Sequence, residues 1–134
     1  MAETQCVDRV VQLVLPPSDH HLRTARLVAA DVATRAGLDC DETDDLRIAV
    51  DEICHALLRR GTGPLCFSFS GDPERGVSLS AWIQGAGGRP ADDATGFAIA
   101  VLQWVADSFD VTVDGGELRF VLSKRHRQGV GCSR

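Results

Sequence analysis

The stretch 44–58 constrains this chain most, because its pattern predicts one long amphipathic helix. Apolar residues recur in it at the i, i+3, i+4 spacing of a buried helical stripe. The stripe consists of Leu46, Ala49, Val50, Ile53 and Leu57. Acidic residues crowd its start at 41–45, and Arg59 and Arg60 lie at its end, so charges of both signs match the helix dipole. Gly61 follows and predicts a left-handed cap, and we expect this helix to organise the domain.

Glu52 is the residue that a purely structural helix does not require. It flanks the apolar stripe, and Ala56 lies one turn further along the same side. A carboxylate at the edge of a buried face is either a solvated neighbour of the core or the start of a functional site. The helix alone leaves both interpretations open.

Length and charge narrow the class of protein. The chain has 134 residues, which suits one domain with a substantial core, and 44% of them are hydrophobic. A formal charge of -5 and a pI near 5.2 argue against a general nucleic-acid binder, which would be basic. No apolar run approaches the roughly 20 residues of a membrane span, and residues 1–12 lack the pattern of a secretion signal. We therefore expect a cytoplasmic protein without a membrane partner.

The cysteines and histidines show no metal-binding or disulfide pattern. Five cysteines are scattered along the chain, none in a C-x-x-C pair, which predicts reduced thiols. Cys54 and Cys66 are expected to act as small apolar residues in the core. His20 and His21 are adjacent and would point in different directions on a helix, so we predict no metal site there.

The remaining pattern predicts the order strand, helix, helix, hairpin, helix, hairpin. The predicted strands are 7–15, 65–70, 77–83, 109–113 and 118–122. The other two helices are 19–36, between Ser18 as N-cap and Gly37 as stop signal, and a helix from 92 or 93 to 108, with Phe97, Val101, Leu102 and Val105 toward the core. Three helices cannot cover both faces of five strands. We therefore predict an α+β, two-layer sandwich with three helices on one face of a mostly antiparallel sheet, spanning 1–123, and a basic, frayed tail at 124–134.

This element order, together with D-L-R-I-A-V-D-E-I-C at 45–54, resembles the anti-sigma-factor serine kinases of the GHKL ATPase superfamily. The resemblance covers most of the chain and implies the Bergerat-type fold that histidine-kinase ATPase domains share. The segment 46–54 is similar to the N-box of that family, where an E-x-x-x-N pattern places a general base beside an Asn that holds magnesium. By that match Glu52 is the candidate base. Ala56 takes the Asn position and offers no oxygen to a cation, so no metal ligand is predicted.

Two glycine motifs of the family are matched in part. In place of its Asp-x-Gly-x-Gly turn, whose Asp binds the adenine amino group, this chain has Q-G-A-G-G at 84–88. The resemblance makes Gln84, Gly85 and Gly87 candidate ATP contacts, and a neutral Gln would be a weaker partner than Asp. The glycine motif at the start of the third helix is reduced to G-F-A at 96–98, since a second glycine position holds Ala98. Backbone amides at a helix N-terminus suit phosphate, so Gly96, Phe97 and Ala98 are candidate phosphate contacts.

Three functions follow from the residues and the resemblance. The first is an anti-sigma-factor-like regulator that binds a sigma factor, a STAS-type anti-anti-sigma protein, or both, commonly as a homodimer and without contacting nucleic acid directly. The second is an ATP-dependent and Mg-dependent serine kinase of the anti-anti-sigma protein, with Glu52 as base. The third is a nucleotide-binding domain with another partner. The motif departures favour the first, with weak catalysis or none.

Overall fold

The computed structural model describes residues 10–86 and 93–126, and these form one sheet with three helices. The strands are β1 (Val10–Leu15), β2 (Leu65–Asp72), β3 (Gly76–Ile83), β4 (Ser108–Asp114) and β5 (Glu117–Lys124). The helices are α1 (Leu22–Arg35), preceded by a 3-10 turn at Asp19–His21, α2 (Cys40–Arg60) and α3 (Asp93–Val105). The predicted order of elements is confirmed. Each helix in the described part of the chain is too short or too polar to cross a membrane.

The sheet has the strand order β1-β2-β3-β5-β4, and every neighbouring pair is antiparallel. Alternate residues of its strands are buried, as the period of two requires. One row across the register joins Phe67, Ala81 and Phe120, all inaccessible to solvent or nearly so. The opposite face carries Ser68 and Ser80 in the same relation, both partly exposed. The helices therefore cover one face, and the predicted two-layer α+β sandwich is confirmed.

α2 is longer than predicted because its first turn has a capping box. The carboxylate of Asp39 accepts a hydrogen bond from the backbone N–H of Glu42, and the Glu42 carboxylate accepts one from the N–H of Asp39, each at 2.8 Å. Residues 40–43, which precede the predicted stretch 44–58, thus belong to the start of the helix. Asp45 in the next turn accepts a hydrogen bond from the buried Lys124 side chain at 3.0 Å, which ties α2 to β5.

Gly61 ends α2 for a different reason than predicted. Its φ is -111°, outside the left-handed region, so the predicted left-handed cap is wrong. A Cβ at this position would lie 2.4 Å from the Ile83 side chain. Glycine is needed here because β3 passes close to the helix end. By contrast, Gly37 after α1 has a φ of 83°, as its predicted role as stop signal requires.

Other sequence predictions are confirmed or corrected at single residues. Gly115 and Gly116 have φ values of 60° and 85°, which suits the predicted two-residue hairpin turn between β4 and β5. Phe97, predicted to face the core, is 61% exposed. Lys124 belongs to β5, although the sequence placed it in the tail. Residues 7–9 of the predicted first strand and 127–134 of the predicted tail lie outside the described residues.

One expectation about the cysteines is wrong, because Cys40 is disulfide-bonded rather than reduced. Cys54 and Cys66 are free thiols, as predicted. Cys54 lies in the core on α2, whereas Cys66 is only half-buried on β2.

Candidate functional site

Glu52 lines a cleft of about 680 Å³ between α2, the start of α3 and the segment that precedes α1. Its other lining residues are Pro17, Ser18, Asp19, His55, Leu58, Arg59 and Phe97. Glu52 and His55 are three residues apart, so both reach the cleft from neighbouring turns of α2. The cleft therefore combines charged and polar side chains with the apolar side chains of Leu58 on α2 and Phe97 on α3.

A second groove, of about 430 Å³, lies between α1 and α2 and also includes Glu52. Its other lining residues are Arg26, Asp44, Arg47, Ile48 and Asp51. Arg26 of α1 donates a hydrogen bond to Asp51 of α2 at 2.6 Å, and this ion pair links the two helices. Glu52 therefore lines both the cleft and the groove.

Ala56 lies one turn after Glu52 but in the opposite environment. Its side chain is 0% exposed and belongs to the core cluster, together with Ile53 and Leu57. One turn further, the Arg60 side chain is also buried, and its guanidinium lies 3.4 Å from the hydroxyl of Thr95 on α3. The buried side of α2 is therefore inaccessible to solvent, because it packs against the core and against α3.

The candidate residues 84–86 are held by contacts within the protein. The side-chain amide of Gln84 donates to Glu117 at 2.9 Å, and its backbone carbonyl accepts from Thr62 at 2.9 Å. Gly85 has a φ of 80°, and a Cβ there would lie 2.3 Å from the Thr62 hydroxyl. Ala86 is buried. Gly87 and Gly88 lie outside the described residues.

The candidates at the start of α3 separate into three environments. Gly96 is exposed, and a Cβ built on it would meet no atom within 4 Å. Phe97 lines the cleft that contains Glu52, whereas Ala98 is buried in the core. Of the residues singled out from the sequence, the structure therefore brings Glu52 and Phe97 together. Gln84 and Gly85 are not among the described residues that line this cleft.

The order of elements, the antiparallel sheet and the position of α2 agree with one known family. A family model described as "Histidine kinase-like ATPase domain" matches residues 15–122, from the last residue of β1 to the middle of β5. The chain belongs to this family. The match confirms the GHKL-type superfamily and extends over nearly the whole described fold. A comparison with curated proteins finds no match.

A histidine kinase-like ATPase domain implies a nucleotide and magnesium, and the residues at the N-box do not fit the cation. Magnesium takes hard oxygen ligands in a near-octahedral arrangement. Ala56 supplies no oxygen, and its methyl group is enclosed by the core. At the position that the resemblance gives to the adenine contact, the side-chain nitrogen of Gln84 already donates a hydrogen bond to Glu117.

Sequence reasoning missed the polar neighbours of Glu52 in this ATPase-like domain. Asp51 and His55 lie beside it on α2, and the Asp51 carboxylate is 3.8 Å from the His55 ring nitrogen. Asp19 approaches the same cleft from the segment before α1. The spacing of Asp51, Glu52 and His55 carries the signal, since residues three and four apart share a helix face.

The two free thiols among the described residues both have raised pKa values. Burial, the larger cause, and the Asp51 carboxylate together raise the pKa of the Cys54 thiol to about 12. The pKa of the Cys66 thiol is also raised by burial and by Glu117. A thiol held in its protonated form is a poor nucleophile and a poor metal ligand.

Proposed function

We propose that this histidine kinase-like ATPase domain is an anti-sigma-factor-like regulator. It would bind a sigma factor, a STAS-type anti-anti-sigma protein, or both, in a partner-switching system that controls transcription. The observation that carries the proposal is the burial of Ala56 at the position where the family places its magnesium ligand. The chain has the fold of the family, but it lacks the side chain that would hold the cation for phosphoryl transfer.

Exposed aromatic side chains on α3 support a role in protein binding. Trp104 is 88% exposed and Phe97 is 61% exposed, seven residues apart and therefore near one face of the helix. Large aromatic residues are enriched among the side chains that dominate binding energy at protein interfaces. Leaving two of them in solvent is unfavourable unless a partner covers them.

The charge of the chain supports the same partner class. A net charge of -5 suits a partner with a basic surface through complementary electrostatics, which raises the association rate and favours the correct partner. A sigma factor has to contact nucleic acid, so a basic surface is expected on it. A homodimer of this chain, implied by the resemblance, is part of the proposal.

Direct binding measurements test the proposal. We expect a purified sigma factor or STAS-type protein from the same cell to bind the full chain with a micromolar or lower Kd by biolayer interferometry. Trp104→Ala should weaken that binding at least about tenfold, as loss of an interface anchor does. Val113→Ala, which shortens a side chain that is 44% exposed on β4, is the matched control and should leave the Kd unchanged. Absence of binding to every sigma factor and STAS-type protein tested would contradict the proposal.

The alternative function is an ATP-dependent serine kinase of the anti-anti-sigma protein. The position of Glu52 favours it, because this carboxylate lines a cleft of about 680 Å³ next to Phe97 at the start of α3. Glu52 would take the proton of the substrate serine hydroxyl. This function requires Mg-ATP binding, and a titration with Mg-ATP therefore separates it from the first.

A further inference from the structure

A second feature of α2 includes Glu52, the candidate base, together with two neighbours to which the resemblance gives no role. Asp51, Glu52 and His55 each offer one ligand atom, and these atoms all lie within 4.8 Å of one another. The three residues occupy one side of the helix, because His55 is four residues after Asp51 and three after Glu52. The group mixes two carboxylates with an imidazole, which distinguishes it from the purely acidic clusters common on protein surfaces.

The distance between the Asp51 and His55 side chains suits two ligands of one ion better than a direct hydrogen bond. Nδ1 of His55 lies 3.8 Å from Oδ2 of Asp51, which is too long for a hydrogen bond. Two ligands of a tetrahedral ion with bonds of about 2.0 Å are separated by about 3.3 Å, so a small side-chain rotation would bring both atoms into range. The other Asp51 oxygen, Oδ1, is held by Arg26 at 2.6 Å, which fixes the carboxylate with Oδ2 left toward His55.

We propose that Asp51, Glu52 and His55 form a binding site for a divalent transition-metal ion, with Zn²⁺ as the representative ligand. Imidazole and carboxylate together suit zinc, whereas magnesium prefers oxygen ligands alone. The site uses side chains that face solvent and is distinct from the buried position of Ala56.

The site can be reached from two concave surfaces, the cleft and the groove between α1 and α2. Glu52 and His55 border the larger cleft, and Asp51 and Glu52 border the groove between α1 and α2. Three protein ligands leave one position of a tetrahedral ion open, as in zinc sites that bind water or a substrate. A bound ion could therefore take a further oxygen ligand from water. Zinc binding at this site requires no protein partner.

Calorimetric titration of the chelator-treated full chain with zinc chloride tests the site. We expect one equivalent to bind with a micromolar or lower Kd, and His55→Ala and Glu52→Gln each to weaken binding at least about tenfold. His20→Ala and Asp44→Asn are matched controls, because they remove an exposed imidazole and an exposed carboxylate outside the group. Both controls should bind zinc as the unmodified chain does.

Cobalt spectroscopy identifies the ligand atoms independently. With Co²⁺ we expect the weak visible bands of nitrogen and oxygen ligation, and their loss in His55→Ala. Zinc binding that survives His55→Ala, an intense sulfur-to-cobalt band, or the absence of binding at micromolar zinc would each overturn the proposal. An equal loss in Asp44→Asn and Glu52→Gln would also overturn it, because general electrostatic attraction would then account for the binding. His55 is exposed, so its substitution should leave the far-UV circular dichroism unchanged.

Discussion

The cleft-facing side and the buried side of α2 are subject to different constraints. On the buried side, Ile53, Ala56 and Leu57 are 0% exposed and pack into the core. On the cleft-facing side, Glu52 and His55 remain accessible beside a cleft of about 680 Å³. The two sides share one backbone and are separated only by the direction in which consecutive side chains point.

The difference concerns position 56, where the resemblance to the anti-sigma-factor serine kinases implies an Asn and this chain has Ala. Position 56 faces the core, where a small alanine satisfies packing and leaves no polar group without a partner. The stability of the fold therefore does not depend on the missing carboxamide. Glu52, one turn earlier, is free to be retained or reused because the core does not depend on it.

The largest effect is expected on the buried side. Ile53→Ala should lower the free energy of unfolding by about 2–5 kcal/mol, because it leaves a cavity in a packed core. Ile48→Ala is the matched control, since Ile48 lies on the same helix and is 46% exposed, and it should cost less than about 1 kcal/mol. Urea denaturation measures both. Equal losses would show that the two sides do not differ as the burial indicates.

The next effect concerns position 56 itself. Ala56→Asn should lower the free energy of unfolding by about 1–3 kcal/mol, because it buries an amide in an apolar and fully packed site. It should not create Mg-dependent ATP binding. Ala100→Asn on the exposed part of α3 controls for helix propensity and should cost about 0.5 kcal/mol. A gain of Mg-ATP affinity in Ala56→Asn, measured by calorimetry, would mean that position 56 reaches a working cation site.

A smaller effect on the free energy of unfolding is expected from raising the pH, through the buried thiol of Cys54. The pKa of Cys54 rises from 9.0 to about 12 on folding, so the folded state keeps its proton where the unfolded state loses it. Stability from this group is complete below pH 9 and is lost as the pH rises toward 12. The loss between pH 8 and pH 9.5 should be about 1 kcal/mol. Denaturation at both pH values should show a smaller decrease for Cys54→Ala, and an unchanged decrease would remove Cys54 as its cause.

The smallest effect is expected at the exposed groove between α1 and α2. Arg26→Gln removes the ion pair with Asp51, whose two side chains are 36% and 31% exposed. Partly exposed pairs of this kind contribute about 0.2–1 kcal/mol, and the loss should shrink in high salt. Thermal denaturation at low and high ionic strength measures it. A salt-independent loss above about 2 kcal/mol would place this pair among the core determinants of the fold.

Much of the fold follows from the sequence because its periods are strong and local. The stripe of α2, the alternation in β2 and β3 and the two glycines of the last hairpin each predict their own element. The role of Gly61 could not be predicted, because it depends on Ile83, which is distant in sequence. Phe97 was misplaced because, in a short helix, the apolar pattern alone does not say which side faces the core.

The candidate site was predicted less completely than the fold. The resemblance identified Glu52 and Ala56, and the structure places Glu52 at the edge of the cleft and encloses Ala56, one turn further along the same side, in the core. The engagement of Gln84 with Glu117 could not be foreseen, since it joins two turns that only the folded sheet brings together. The proximity of Asp51, Glu52 and His55 was accessible from spacing alone.

Titration of the full chain with ATP in the presence of magnesium tests the central claim most directly. With Ala56 buried at the cation position, we predict no saturable heat at millimolar nucleotide and no transfer of labelled phosphate to a STAS-type protein. Saturable, Mg-dependent binding would contradict this account if it were reduced by Gly96→Asp, at a position where an added Cβ meets no neighbouring atom within 4 Å. Phosphate transfer that is lost in Glu52→Gln would establish the kinase in its place.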